Sequence, residues 1–154
     1  MRSFEHVAQE TVQLVPSSQP CCVARTESLG RVLELLKQHS HSGVLVCDDR
    51  VLAGIFTERD ALKVMTRQAD LGDAVERHMT TLPSTLTPSS TIGEAMFKMA
   101  RGGFRRLPIV DDRHRPLAVI DMAALVHYVD GYFPGAVYNL PPKAMLCTPE
   151  RAGA

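Results

Sequence analysis

Apolar residues recur along the chain at two spacings, and the succession of spacings is itself repeated. Leu29, Val32, Leu33 and Leu36 stand at i, i+3, i+4 and i+7, one face of a helix that starts after Ser28 as N-cap. Ile92, Ala95, Met96 and Met99 do the same after Thr91. Val44-Leu45-Val46 and Leu107-Pro108-Ile109-Val110 are short unbroken apolar runs, the mark of buried strands. Each is followed by an Asp-Asp turn that returns the chain into a second strand, over 51–56 or 117–120. A second helix then follows, over 58–66 or 122–129, and short lead-in strands are expected at 22–24 and 85–87.

The two successions align without a gap. Residues 28–50 lie over 91–113, and one inserted residue in the second turn then brings L-A-G-I-F-T, 52–57, over P-L-A-V-I-D, 116–121. Each unit reads strand, helix, strand, strand, helix, so the chain is of the α+β class. A copy of roughly fifty residues buries its sheet poorly alone. Two copies packed sheet to sheet solve that, and the cleft between them is a natural ligand site. The remaining segments divide the chain into an accessory amphipathic helix carrying Phe4, Val7, Ala8 and Thr11 (1–15), a first repeat (16–69), a polar linker with a short helical stretch (70–81), a second repeat (82–130) and a proline-rich irregular tail (131–154).

Composition narrows the function. With 45% hydrophobic and 22% charged residues the chain is ordinarily globular. Its 17 Lys+Arg balance 17 Asp+Glu, which leaves no net attraction for nucleic acid or an anionic membrane. Glu5 and Glu10 interrupt the apolar pattern of the N-terminus, so no signal-peptide core is read there, and no run reaches the ~20 apolar residues of a membrane span. Cys21, Cys22, Cys47 and Cys147 form no C-x-x-C pair, and Cys21 and Cys22 point to opposite faces of an extended segment. They are read as reduced thiols of a cytoplasmic protein.

The motifs V-E-R-H-M-T-T-L-P-S-T-L-T-P (75–88), G-F-R-R-L-P-I-V-D (103–111) and above all G54-I-F-T-E-R-D60 resemble the cystathionine-β-synthase (CBS) domain pair, also called a Bateman module. The likeness covers about residues 16–130, and the tail motif 132–142 is similar to the ending of small stand-alone CBS-pair proteins. The resemblance implies two βαββα repeats related by pseudo-twofold symmetry, with their sheets packed together, and often a homodimer. It further implies non-catalytic binding of AMP, ADP, ATP or S-adenosylmethionine, although some members serve as ligand-free dimerisation modules.

Thr57 and Asp60 carry the sharpest expectation. T-E-R-D at a strand-to-helix junction is close to a capping box, which alone would justify both residues. A carboxylate at that position also accepts hydrogen bonds from the hydroxyls of a ribose. The free amides of the helix start and the Thr57 hydroxyl suit a phosphate, and Gly54 would admit a ligand close to the strand. The second copy separates these roles. Asp121 replaces Thr57 and remains a good N-cap, whereas Ala124 replaces Asp60 and removes the diol acceptor. Asp121 also sets a negative charge where a phosphate would sit. One occupied cleft is therefore expected, not two.

Other positions follow from the resemblance. Arg105, then Arg106, would face the phosphate of a nucleotide held by the first repeat; Arg59 lies within the motif, and Ser42 with His41 occupies the corresponding place in the first repeat. Cys22, Val23, Ala24, Ile55 and Phe56 would wall the adenine. His39 and His41 with Cys47 make only a weak metal set, without a fourth ligand at recognisable spacing, and no catalytic elbow or phosphate loop occurs. The leading expectation is a non-enzymatic nucleotide sensor with an unknown protein partner. Its rivals are a ligand-free structural dimerisation module and an enzyme with its chemistry in the cleft.

Overall fold

A computed structural model describes residues 3–38 and 43–132. The elements are α1 (Phe4–Gln9), β1 (Cys22–Ala24), α2 (Leu29–Gln38), β2 (Gly43–Asp48), β3 (Val51–Thr57), α3 (Glu58–Thr66), β4 (Thr80–Thr81), α4 (Ile92–Gly102), β5 (Arg106–Val110), β6 (Pro116–Asp121) and α5 (Met122–Asp130). They follow the expected order with two corrections: the lead-in strand expected at 85–87 is reduced to a single parallel bridge between Leu86 and Ile109, and Thr80–Thr81, read as linker, pairs as a strand. Strands β1-β2-β3-β4 make one sheet and β5-β6 another. Among the described residues no helix is long and apolar enough to cross a membrane.

The hairpins explain why both strand runs are buried. Asp49 and Arg50 both take positive φ, 48° and 72°, the left-handed pair of a two-residue turn whose twist matches the strands it joins. Alternation then sends Val44, Val46 and Phe56 to the helix side, with Leu29, Val32 and Val64, and sends Leu45 and Ile55 to the opposite face. The register shifts between Val46 and Cys47, so that Cys47 opposes Leu52 and Leu52 is turned onto that opposite face. There Leu45 and Leu52 meet Val110 and Val119 of the second hairpin, the apolar seam that packs sheet on sheet.

The segments in front of each repeat do more than connect. Val12 and Val75 each sit in a single 3-10 turn and are fully buried, Val12 in the core of the second repeat and Val75 in that of the first. Thr11 bridges to Thr91, the cap of α4, just as Ala74 bridges to Ser28, the cap of α2. Farther on, Ser18 exchanges backbone hydrogen bonds of 2.9 and 3.0 Å with Val119 of β6, while Thr80 and Thr81 pair with Ile55 and Gly54 of β3. Each hairpin thus gains its edge from the segment that precedes the other repeat. What reads in the sequence as a terminal helix and a linker behaves in the structure as the same element occurring twice, each docked on the opposite half.

The first of these segments is locked further by α1, which packs across α4. A Cβ on Gly93 would lie 3.0 Å from the Ala8 carbonyl oxygen, so the glycine permits the crossing. Tyr128 donates to Glu10 at 2.8 Å from the far side. We expect Gly93→Ala to lower stability by about 1–3 kcal/mol through overpacking, read by urea denaturation, and to speed amide exchange in residues 3–15 before the rest of the chain.

Candidate functional site

At the cap end of the first hairpin, Thr57 is the N-cap of α3 and Asp60 its third residue. Asp60 is 5% exposed, a buried carboxylate that must be satisfied by hydrogen bonds. Its Oδ2 accepts from the Thr57 amide at 2.9 Å and the Thr57 hydroxyl at 3.0 Å, and the Asp60 amide donates back to Thr57 Oγ1 at 3.4 Å. The reciprocal capping box is therefore formed. The Thr80 hydroxyl reaches both carboxylate oxygens, at 3.3 and 3.4 Å, so among the described residues Oδ1 is met by Thr80 alone. A carboxylate offers about four acceptor positions, and this one retains capacity for a further donor.

Thr80 was not among the residues singled out from the sequence. The Met79-Thr80 pair carries no local sign of a partner, because its proximity to Asp60 arises only when β4 adds to the edge of β3. That addition also explains Gly54. A Cβ there would lie 2.5 Å from the Met79 sulfur and 2.8 Å from the Thr80 carbonyl oxygen. The close approach that requires glycine is made by the protein's own β4, which corrects the expectation that Gly54 leaves room for a ligand.

A second correction concerns the adenine wall. Phe56 is fully buried in the helix-side core, whereas Ile55 is partly buried at the inter-sheet seam. Adjacent strand residues face opposite ways, so the two do not line one slot. The lead-in strand pairs parallel to β2, with Cys22 beside Leu45 and Ala24 beside Cys47. That register carries it toward the turn of the hairpin, where Cys22, Val23 and Ala24 line a cavity of about 560 Å³ with Cys47, Arg50 and Arg115. The cavity and the Asp60 carboxylate lie toward opposite ends of the same hairpin.

The arginines divide similarly. Arg59 is exposed in the first turn of α3, near Asp60 in sequence. Arg105 is exposed and Arg106 half-buried at the start of β5, where Arg106 opposes Asp121 and the Arg105 carbonyl accepts from the Met122 amide. Their backbone therefore belongs to the cap end of the second repeat. His41, Ser42, His39, Cys147 and residues 133–154 lie outside the described residues. Among those described, no three His, Cys, Asp or Glu residues gather as a metal site.

In the second repeat, Asp121 Oδ1 accepts from the Ala124 amide at 2.8 Å, so the cap is retained. Ala124 packs against the apolar core where Asp60 stands in the first repeat. Both halves keep an N-cap, but the first places its carboxylate at the third helical residue, Asp60, and the second at the cap itself, Asp121.

The family profile described as "CBS domain" matches residues 12–67 and 71–131. The chain belongs to the CBS-domain family. The CBS chain is 31% identical over 121 residues to the meiotically up-regulated gene 70 protein of Schizosaccharomyces pombe, a match that spans 77% of this chain but only 16% of that protein. Among solved structures, CBSX2 in complex with AMP superposes with a TM-score of 0.69 at 24% identity, covering 80% of this chain and 98% of that one. The CBS pair of protein MJ0100, in complex with 5′-methylthioadenosine and S-adenosylmethionine, gives 0.72 at 20% identity, covering 79% and 97%. These likenesses establish the tandem CBS fold.

The close approach at β4 has a direct consequence for stability. Gly54→Ala should cost about 1–3 kcal/mol in urea denaturation because the Met79 sulfur and the Thr80 backbone must both shift. Ala118, which occupies the corresponding place in β6, already carries the methyl group.

Proposed function

We propose that this CBS pair is a non-catalytic sensor or regulator that binds one adenosine-containing ligand per chain at the Thr57–Asp60–Thr80 end of the first hairpin. The observation that carries this reading is the buried Asp60 carboxylate, present in one repeat and replaced by Ala124 in the other although both helices are capped. A ribose diol would donate to Asp60, sharing or displacing the Thr80 hydroxyl, as charge-assisted bonds. The amides at the start of α3 would meet a phosphate, and Arg59, Arg105 and Arg106 are candidates to neutralise it. AMP, ADP, ATP and S-adenosylmethionine are the ligand class; the complexes of CBSX2 with AMP and of MJ0100 with S-adenosylmethionine support that choice.

Binding would act by favouring one arrangement of the two halves. The edge exchange makes that arrangement cooperative, and a protein partner would sense it only as far as the ligand binds the two states differently. The pair is further proposed to form a homodimer through its helices. Leu62 and Met65 on α3 are 64% and 58% exposed, and Val126 on α5 is 61% exposed, which leaves apolar helix faces uncovered in the single chain. A reducing cytoplasm suits the free thiols of Cys21, Cys22 and Cys47 among the described residues.

Calorimetry with AMP, ADP, ATP, S-adenosylmethionine and NADH, on wild type, Asp60→Ala and Asp121→Ala, separates ligand from cap. Both substitutions should lower stability by about 0.5–2 kcal/mol as caps. Only Asp60→Ala should abolish binding. Loss of affinity in both variants alike would reduce Asp60 to a helix cap, and no binding of any ligand to wild type would favour a structural dimerisation module. Nucleotide turnover would instead support an enzyme. For the assembly, Leu62→Glu with Val126→Glu should convert a dimer to a monomer in light scattering without unfolding the chain.

A further inference from the structure

The cavity at the hairpin turns is unused by that reading, and it is lined by two cysteines that the second repeat lacks. In the aligned repeats Cys22 corresponds to Thr85 and Cys47 to Val110, so the fold does not require a thiol at either place. The parallel register sets Cys22 beside Leu45 and Cys47 beside Ala24, which puts both cysteines on one face of the sheet, two residues apart. Cys22 is exposed and Cys47 half-buried, and both line the cavity of about 560 Å³. Cys21, next in sequence, packs instead on the helix-side core.

The rest of the lining is charged. Arg50, held in the left-handed turn, has no ion pair among the described residues, and Asp49 lies beside it. Arg115 is engaged at 2.8 Å by Asp111, whose Oδ1 also accepts the amides of Arg113 and Arg115. The groups free to meet a guest are thus one guanidinium and one carboxylate, a pair suited to a zwitterion.

We propose that Cys22 is a modification site that exchanges with a short-peptide disulfide and carries the peptide as a mixed disulfide in the hairpin cavity. The Cys22 thiolate attacks one sulfur of the disulfide, forming the new S–S bond and expelling the other half as a thiolate that takes a proton from water. Cys22 is oxidised and the departing thiol reduced, with no other reactant. Arg50 meets a carboxylate of the peptide and Asp49 its ammonium group. Cys47 acts as the positioning residue, donating its S–H to the attacking sulfur. A two-residue offset between neighbouring strands places the Cα atoms too far apart for a direct Cys22–Cys47 bond without backbone movement, so the mixed disulfide is the stable product.

The electrostatics agree with this geometry. Donation from Cys47 lowers the Cys22 thiol to about 7 against the opposing effect of burial, while the same bond raises Cys47. Burial raises Cys21, so two adjacent thiols differ in reactivity. The other charged groups facing the pair are Asp49, Arg50, Asp111 and Arg115.

The test uses the reduced full-length chain with oxidised glutathione as probe, followed by intact mass, peptide mapping and the pH dependence of the rate. The expected product is one glutathione on Cys22, formed faster than on Cys21 and titrating near pH 7. Cys47→Ala should move that titration to the ordinary thiol range near 8.5 and slow the reaction roughly threefold at pH 7, the loss of thiolate being partly offset by higher nucleophilicity. Arg50→Ala should slow reaction with oxidised glutathione while leaving the neutral hydroxyethyl disulfide unaffected, and circular dichroism should show each variant folded. Equal labelling of Cys21 and Cys22, a wild-type titration near 8.5, an internal Cys22–Cys47 disulfide as product, or equal effects of Arg50→Ala on both probes would each overturn the proposal.

Discussion

The structure depends on an exchange of strand edges between its two halves. A βαββα unit of this size leaves one edge of its central hairpin unpaired, and exposed backbone donors and acceptors at a sheet edge must be matched or left to solvent. Here Ser18 matches Val119, and Thr80–Thr81 matches Gly54 and Ile55. The same two segments send Val12 and Val75 into the opposite cores. Neither half can separate without losing both an edge and a buried side chain, so the pair behaves as one cooperative body although its sequence is two.

That exchange is also what builds the candidate site. The Asp60 carboxylate is a local product of the T-E-R-D capping box, but its third contact, Thr80, arrives with the exchanged edge. The glycine at position 54 answers to the same strand, since the Met79 sulfur and the Thr80 carbonyl fill the space a Cβ would take. In the proposed binding mode, a ligand hydroxyl that rearranges Thr80 would act on the exchanged edge and so on the relative placement of the halves.

Symmetry in the backbone sets off asymmetry in the chemistry. Both second helices are capped by an aspartate or threonine oxygen, both hairpins turn through charged residues, and both cores close on the same pattern. The first half alone carries a buried carboxylate at its cap end and a pair of thiols lining one cavity toward its turn. Because the second half folds without either, the fold does not require them, and they are the places where function is to be sought, even though Asp60 also completes a capping box.

The sequence by itself determined the repeat, the order of helices and strands, both helix caps and the contrast between Asp60 and Ala124. These rest on periodicity and on contacts within four residues, which a chain shows before it folds. Even the opposite fates of Cys21 and Cys22 follow from strand alternation. Tertiary structure alone decided which segments form the sheet edges, why position 54 is glycine, that Thr80 joins Asp60, that Phe56 is core rather than wall, and that Cys22 meets Cys47. Each of those depends on pairing between residues far apart in the chain, and on a bulge at Val46 and Cys47 that shifts which side chains face the seam. Alternation fixes which neighbours share a face, but only the register between strands fixes what that face meets.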